Sequence, residues 1–224
     1  MRWFCSLVIA IVTLCACSNS SDFETGEIKA IKMLKETWLS SRAQRVLLDT
    51  RDVVTRKKIN DANIPVLFVE LENGQNGTLT LYPGQGVGET WLGADGATIT
   101  LSNGILKATR GMRNDLMGGT SLIPILSGKK ESTNYTRQLF HLDGNNKIIE
   151  RNFTCQIEKI TSEMNIIIFD APFRVREYSE ACVSDADKIN NIYLVDTGGI
   201  VRKSLQYHGP ALGYLDIERL DLLR

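Results

Sequence analysis

The sequence predicts a mainly β domain of antiparallel hairpins, sandwich- or barrel-like, with one or a few helices; an α+β arrangement is the alternative. Three observations carry this expectation. Apolar and β-branched runs recur from Ile64 to the C-terminal end. Short turn sequences rich in Asn, Asp and Gly separate them, so that each run turns back on the last. No helical pattern falls between them that would serve as a βαβ crossover. The 224-residue chain is long enough to bury a sizeable core in one domain. Its 26 basic residues are matched by 26 acidic ones, which argues against a general nucleic-acid binder, because no cationic excess is left for phosphates.

The chain opens with Arg2 and an apolar run, Trp3–Ala16, broken only by Ser6 and Thr13. A positive end followed by a run of this length reads as a secretory leader over residues 1–16. It is short for a membrane-spanning helix, which needs ~20 apolar residues. Leu14-Cys15-Ala16-Cys17 resembles a bacterial lipobox. The resemblance implies cleavage before Cys17, a thioether-linked diacylglycerol on its sulfur and an acylated amine. Several acyl chains hold a membrane far more firmly than one. The alternative is an ordinary leader cut nearby, leaving Cys17 a plain thiol. Ser18-Asn19-Ser20-Ser21 follows as a polar tether, within residues 17–23. Ser18 in place of Asp resembles the sorting pattern of enteric outer-membrane lipoproteins, which implies a cell-envelope protein, lipid-anchored to the outer membrane and facing the periplasm.

Residues 24–224 are expected to form the single mainly β domain, beginning with a helix over Glu24–Ser40. Ser21 and Glu24 have capping-box spacing, and Ile28, Ile31, Leu34 and Trp38 recur along one side. Such a helix either lies on a membrane surface or packs on the domain; Glu27 and Glu36 break its basic face and favour packing. Val66–Leu71 and Thr78–Tyr82 then flank Glu72-Asn73-Gly74. Trp91–Gly96 reads as a turn. Ala97–Leu101 and Ile105–Thr109 flank Ser102-Asn103-Gly104, a strong hairpin signal. Thr136–Leu142 and Lys147–Thr154 flank Asp143-Gly144-Asn145-Asn146. Asn165–Phe169 is a further apolar run, and Ile192–Asp196 and Ile200–Tyr207 flank Thr197-Gly198-Gly199.

Of five cysteines, Cys5 and Cys15 fall in the leader and Cys17 is the lipid acceptor, leaving Cys155 and Cys182. An even remainder in an oxidising compartment predicts one disulfide, Cys155–Cys182. The other readings, a thiol nucleophile or half a metal site, lack support: His141 and His208 are the only histidines, and neither CxxC nor HxxxH spacing occurs. Tyr82–Thr90 has the look of a phosphate loop, but Glu89 stands where the dinucleotide fingerprint needs its third glycine, and no lysine precedes Thr90. There is no GxSxG elbow. Asp95 with Asp115, or Asp216 with Glu218, are the carboxylate pairs on offer for glycoside chemistry. Trp91, Tyr82, Tyr207 and Tyr214 are either sugar-stacking platforms or core lids, the latter being commoner beside strand ends.

Trp91 through Met117 carries a more specific signal. A tryptophan, an Asp95-Gly96 turn and a hairpin lead into Gly104, Leu106, Thr109, Arg110, Gly111, Asp115 and Leu116. This resembles the YjbF-type family of group 4 capsule lipoproteins, and Gly213–Leu220 looks like that family's closing segment. The resemblance implies a non-enzymatic outer-membrane lipoprotein accessory to capsule or exopolysaccharide secretion. Its partners would be the membrane, through the lipid anchor, and polysaccharide-export proteins or the polysaccharide itself. It implies no catalytic residue, no cofactor and no metal. Trp91, Arg110 and Asp115 are the candidate ligand or partner surface, with Arg110 either pairing with Asp115 at the hairpin end or reaching a ligand. A glycan-modifying envelope enzyme using Asp and Glu, and a structural envelope-assembly lipoprotein, are the competing readings.

Overall fold

The computed structural model describes residues 49–84, 88–112, 114–120, 134–143, 145, 147–160 and 162–222. The leader, Cys17, the tether and the helix expected at Glu24–Ser40 lie outside the described residues. Two short helices, α1 (Thr50–Val53) and α2 (Arg56–Ala62), precede β1 (Val66–Leu71), β2 (Asn76–Tyr82), β3 (Glu89–Gly93), β4 (Thr98–Ser102) and β5 (Ile105–Arg110). Then come β6 (Leu116–Gly119), β7 (Tyr135–Leu142), β8 (Ile148–Lys159), β9 (Met164–Ile168) and β10 (Ala171–Val183). The last three are β11 (Lys188–Asp196), β12 (Val201–Gly209) and β13 (Gly213–Arg219). Strand accounts for 62% of the structure, which decides for mainly β over α+β.

The strands run β5-β4-β3-β2-β1-β13-β12-β11-β10-β8-β7-β6, each antiparallel to its neighbours. The two end strands, β5 and β6, lie side by side, so the sheet is nearly closed into a barrel. β9 continues the line of β8 along the far part of β10: β8 pairs with Tyr178–Val183 and β9 with Ala171–Val175. Alternation along the strands fills the interior. Leu67 and Val69 of β1, Trp91 of β3, Ile99 of β4, Leu106 of β5, and Leu215 and Ile217 of β13 form the main core.

β1 is apolar at successive positions because both of its faces are covered. Val66 and Phe68 point outward into a second core, under Ile59 of α2 and beside Ile168, Phe173 and Leu220. Helices this short gain little from propensity, and arginines fix them in place. Arg51 lies 4.1 Å over the Phe68 ring and donates to both oxygens of Glu218 at 2.9 and 3.2 Å. Arg56 donates to the carbonyls of Phe169, Leu220 and Ile168 at 2.8, 2.6 and 2.6 Å.

Two differences from the sequence reading have physical causes. Trp91–Gly96 is not all turn, since Glu89–Gly93 forms β3, with Trp91 opposite Leu81 and Ile99 in the core. β10, the longest strand, follows β9 through a two-residue turn, Phe169-Asp170, with φ of +45° and +62°. Both signs match a type I′ turn, normally built with Asn and Gly. Here Arg56 holds the Ile168 and Phe169 carbonyls, and the Phe169 ring packs on Phe68 at 5.4 Å. The expected hairpin at Asn103-Gly104 is present, with φ of +51° and +79°.

Candidate functional site

The antiparallel order places Gly88 and the start of β3, with the β4–β5 and β11–β12 turns, at one end of the barrel. There they surround a cleft of about 590 Å³. Leu101, Ile217 and Ser204 line its buried part, and Ser102, Asn103 and Gly104 form one wall, with Ile200 and Val201 packed beside that turn. The wall has little freedom to move. Gln206, buried on β12, accepts from Leu106 N at 2.8 Å and donates to Gly104 O and to Ser204 Oγ at 2.8 and 2.9 Å. A Cβ on Gly104 would meet Val201 at 2.5 Å, so the turn rests directly on β12.

Glu89 and Arg219 line the remaining side. The Arg219 Nη1 donates to both Glu89 oxygens at 3.2 and 3.1 Å, its Nε donates to Asp221 at 3.0 Å, and the guanidinium stands 5.4 Å from the Trp91 ring. Arg219 Nη2 and the side chains of Ser102 and Asn103 make no hydrogen bond among the described residues.

Away from the mouth, one arc of the interior is polar. The fully buried Glu180 accepts from Arg137 Nη1 at 2.7 Å, Tyr193 Oη at 2.8 Å, Asn191 Nδ2 at 2.6 Å and Tyr135 Oη at 2.6 Å. Burial pushes its carboxyl up, but Arg137 and these hydrogen bonds outweigh burial and hold it below the ordinary range. Burial beside that carboxylate raises both tyrosines. The Cys155 and Cys182 sulfurs, bonded to each other across β8 and β10, lie within 4.8 Å of the Glu180 carboxylate. Bonded sulfurs supply no thiolate, so this trio is not a metal site in the oxidised protein. Further along, His208 Nε2 meets Thr109 Oγ1 at 2.9 Å, and His141 Nε2 donates to the His208 carbonyl at 2.7 Å. Burial and the neighbouring His141 push the His208 imidazole down to about 4.

Residues 32–220 match the family model described as "Group 4 capsule polysaccharide lipoprotein gfcB, YjbF". The chain belongs to this family. A solved structure of the hypothetical lipoprotein YmcC from Escherichia coli K12 shares the fold at TM-score 0.68 and 20% identity, covering 81% of this chain and 98% of that one. No curated protein matches the chain.

The family-like stretch from Gly104 to Leu116 turns out to build the closure of the barrel. Thr109 Oγ1 donates to Asp115 at 3.2 Å and accepts from Leu116 N at 3.0 Å. Asp115 also accepts from Gly111 N and Met112 N, both at 2.9 Å. Gly111, at φ +79°, lies so close to Ala97 that a Cβ would come within 3.2 Å of its Cα. Arg110 crosses the β5–β6 seam to the carbonyls of Leu116 and Met117 at 3.0 and 3.1 Å.

Arg110 and Asp115 therefore share a turn, but among the described residues no ion pair joins them: the arginine takes main-chain carbonyls and the aspartate main-chain N–H groups. Trp91 is fully buried and presents no surface. Trp91, Arg110 and Asp115 do not form one face. Tyr207 and Tyr214 pack edge to face at 5.4 Å, and only Tyr82 of the four aromatics is exposed. The mouth residues Glu89, Ser102 and Arg219 carried no binding signal in the sequence, because only the successive β13–β1–β2–β3–β4 pairings bring them together.

Proposed function

We propose that this protein is a non-enzymatic accessory lipoprotein of capsule or exopolysaccharide secretion. Residues 1–16 are its leader, Cys17 its acylated anchor and residues 17–23 its tether, holding residues 24–224 at the outer membrane on the periplasmic side. The barrel mouth is the surface it offers to an export partner or to the passing glycan. The family match over residues 32–220 carries this reading. The carboxylates open to acid–base work in the sequence are occupied otherwise. Asp95 accepts from Ala97 N at 3.0 Å in the β3–β4 turn, and Asp115 braces the seam. Lys203 pairs with Asp216 at 3.0 Å, and Lys203 and Arg51 both bind Glu218. A disulfide between neighbouring strands suits an oxidising envelope compartment.

The test is a pull-down from detergent-solubilised envelopes with the C-terminally tagged, lipidated protein, analysing protein and carbohydrate together. Recovery of polysaccharide-export proteins or of polysaccharide is the expected result. Recovery of envelope-assembly machinery alone would overturn it in favour of a structural lipoprotein.

A further inference from the structure

The mouth of the barrel has the properties of a built site rather than an accidental gap. Its volume, about 590 Å³, lies in the range of ~300–1,000 Å³ that takes small ligands. The Gln206 clamp and the contact of Gly104 with Val201 fix one wall before anything binds. A site already rigid loses little conformational freedom on binding, so weak individual contacts can still sum to useful affinity.

The chemistry of the walls narrows the ligand. Ser102, Asn103 and Arg219 Nη2 present hydroxyl, amide and guanidinium groups with no partner among the described residues. Beside them, half-buried Ile200 and Val201 offer an apolar strip. Hydrogen-bonding groups beside an apolar strip match a ring that carries hydroxyls at its rim and C–H groups on its faces. The charges set the sign of the selectivity. Among the described residues Arg219 is the one cationic side chain lining the cleft, and it stands between two carboxylates, Glu89 at 3.1 Å and Asp221 at 3.0 Å. Among the described lining residues no positive charge is left over for an anion, and an incoming carboxylate or phosphate would meet Glu89.

We propose that the barrel mouth binds a short stretch of uncharged saccharide, and that Glu89 makes it discriminate against saccharides bearing carboxylate or phosphate groups. The proposal rests on the capsule-polysaccharide reading given above and adds the site and the ligand class. Ser102, Asn103 and Arg219 donate to or accept from ring hydroxyls, while Ile200 and Val201 take a ring face. Gln206 is a positioning residue that acts only through the Gly104 turn.

The test is calorimetric titration of the full-length lipidated protein in a sugar-free detergent such as lauryl dimethylamine oxide. The uncharged probes are cellotriose, isomaltotriose and mannotriose, and the charged probe is trigalacturonate. At least one uncharged trisaccharide should bind at a single site, and trigalacturonate should bind at least about tenfold more weakly. Ser102→Trp, which fills the cleft from one wall, should weaken the neutral ligand by about tenfold or more. Ile200→Trp does the same from the β11–β12 turn, should the first variant fail to fold. Glu89→Gln should bring trigalacturonate to within about threefold of the neutral ligand. Failure of all three uncharged probes at millimolar concentration, preference for trigalacturonate, or indifference to both tryptophan variants would each overturn the proposal. If the trisaccharides fail while the pull-down still recovers export proteins, the saccharide site falls and the accessory role stands.

Discussion

Replacing Glu180 with leucine should be among the most damaging single changes in the molecule. The side chain is fully buried and accepts hydrogen bonds from Arg137, Tyr135, Tyr193 and Asn191. Leucine fills the space but leaves the Arg137 guanidinium buried without a counter-charge, and its Nε and Nη2 already lack hydrogen-bond partners. Breaking one side of a buried ion pair costs about 3–5 kcal/mol. At roughly 2–4 °C per kcal/mol for a domain of this size, the midpoint should fall by roughly 6–20 °C. Thermal unfolding followed by circular dichroism, at pH 7 and fixed detergent, measures this directly. The double variant Arg137→Met with Glu180→Leu should recover much of the loss, since removing both charges removes the unpaired one. A Glu180→Leu protein that melts with the wild type would refute the argument, and so would a double variant no better than the single one.

The remaining predictions concern pH, the disulfide and the seam. Below pH 6.5 the unfolded chain binds a proton at His208 that the folded protein, with this imidazole held down to about 4, does not. Stability should therefore fall as pH drops from 6.5 toward 4, by on the order of 3 kcal/mol. Urea titrations across that range should show the slope, and His208→Gln should flatten it; an unchanged slope would point to other groups. Replacing Cys155 and Cys182 together with alanine should lower stability by about 3–4 kcal/mol for a separation of 27 residues, read as a lower urea midpoint. Asp115→Ala strips Gly111 N, Met112 N and Thr109 Oγ1 of their acceptor. It should cost about 1–3 kcal/mol and speed amide exchange along β5 and β6 ahead of the other strands. Uniform exchange would argue that the seam opens only with the whole barrel.

Most of the barrel could be read from the chain wherever turn chemistry agreed with hydrophobic pattern. Asn103-Gly104 announces its hairpin because Asn and Gly tolerate positive φ, and Val66–Leu71 announces a strand buried on both faces. Legibility ended where tertiary contacts replaced local signals. Phe169-Asp170 has no turn signature and adopts its conformation because Arg56, 112 and 113 residues away, holds two carbonyls. β6 ends in Gly118-Gly119, and β10 begins with Ala171-Pro172 and carries Glu180 inward, so neither reads as a simple alternating strand.

The same limit applies to the site. The stretch from Gly104 to Asp115 stands out in the sequence because closing a barrel demands particular residues, and that demand resembles a binding motif when read without the fold. Trp91 stands out for the same reason, yet it is core. The cleft residues Glu89, Ser102 and Arg219 are chemically ordinary in sequence and meet only through the successive β13–β1–β2–β3–β4 pairings.

The central claim, an anchored and non-catalytic part in polysaccharide export, is tested most directly by measuring exported polysaccharide in a deletion strain complemented with variants. The account predicts that loss of the gene lowers surface polysaccharide and that wild type, Asp95→Asn and Asp216→Asn each restore it. Cys17→Ala, shed from the membrane fraction, should not. Unchanged export in the deletion strain, or full restoration by a Cys17→Ala protein recovered as soluble, would contradict it.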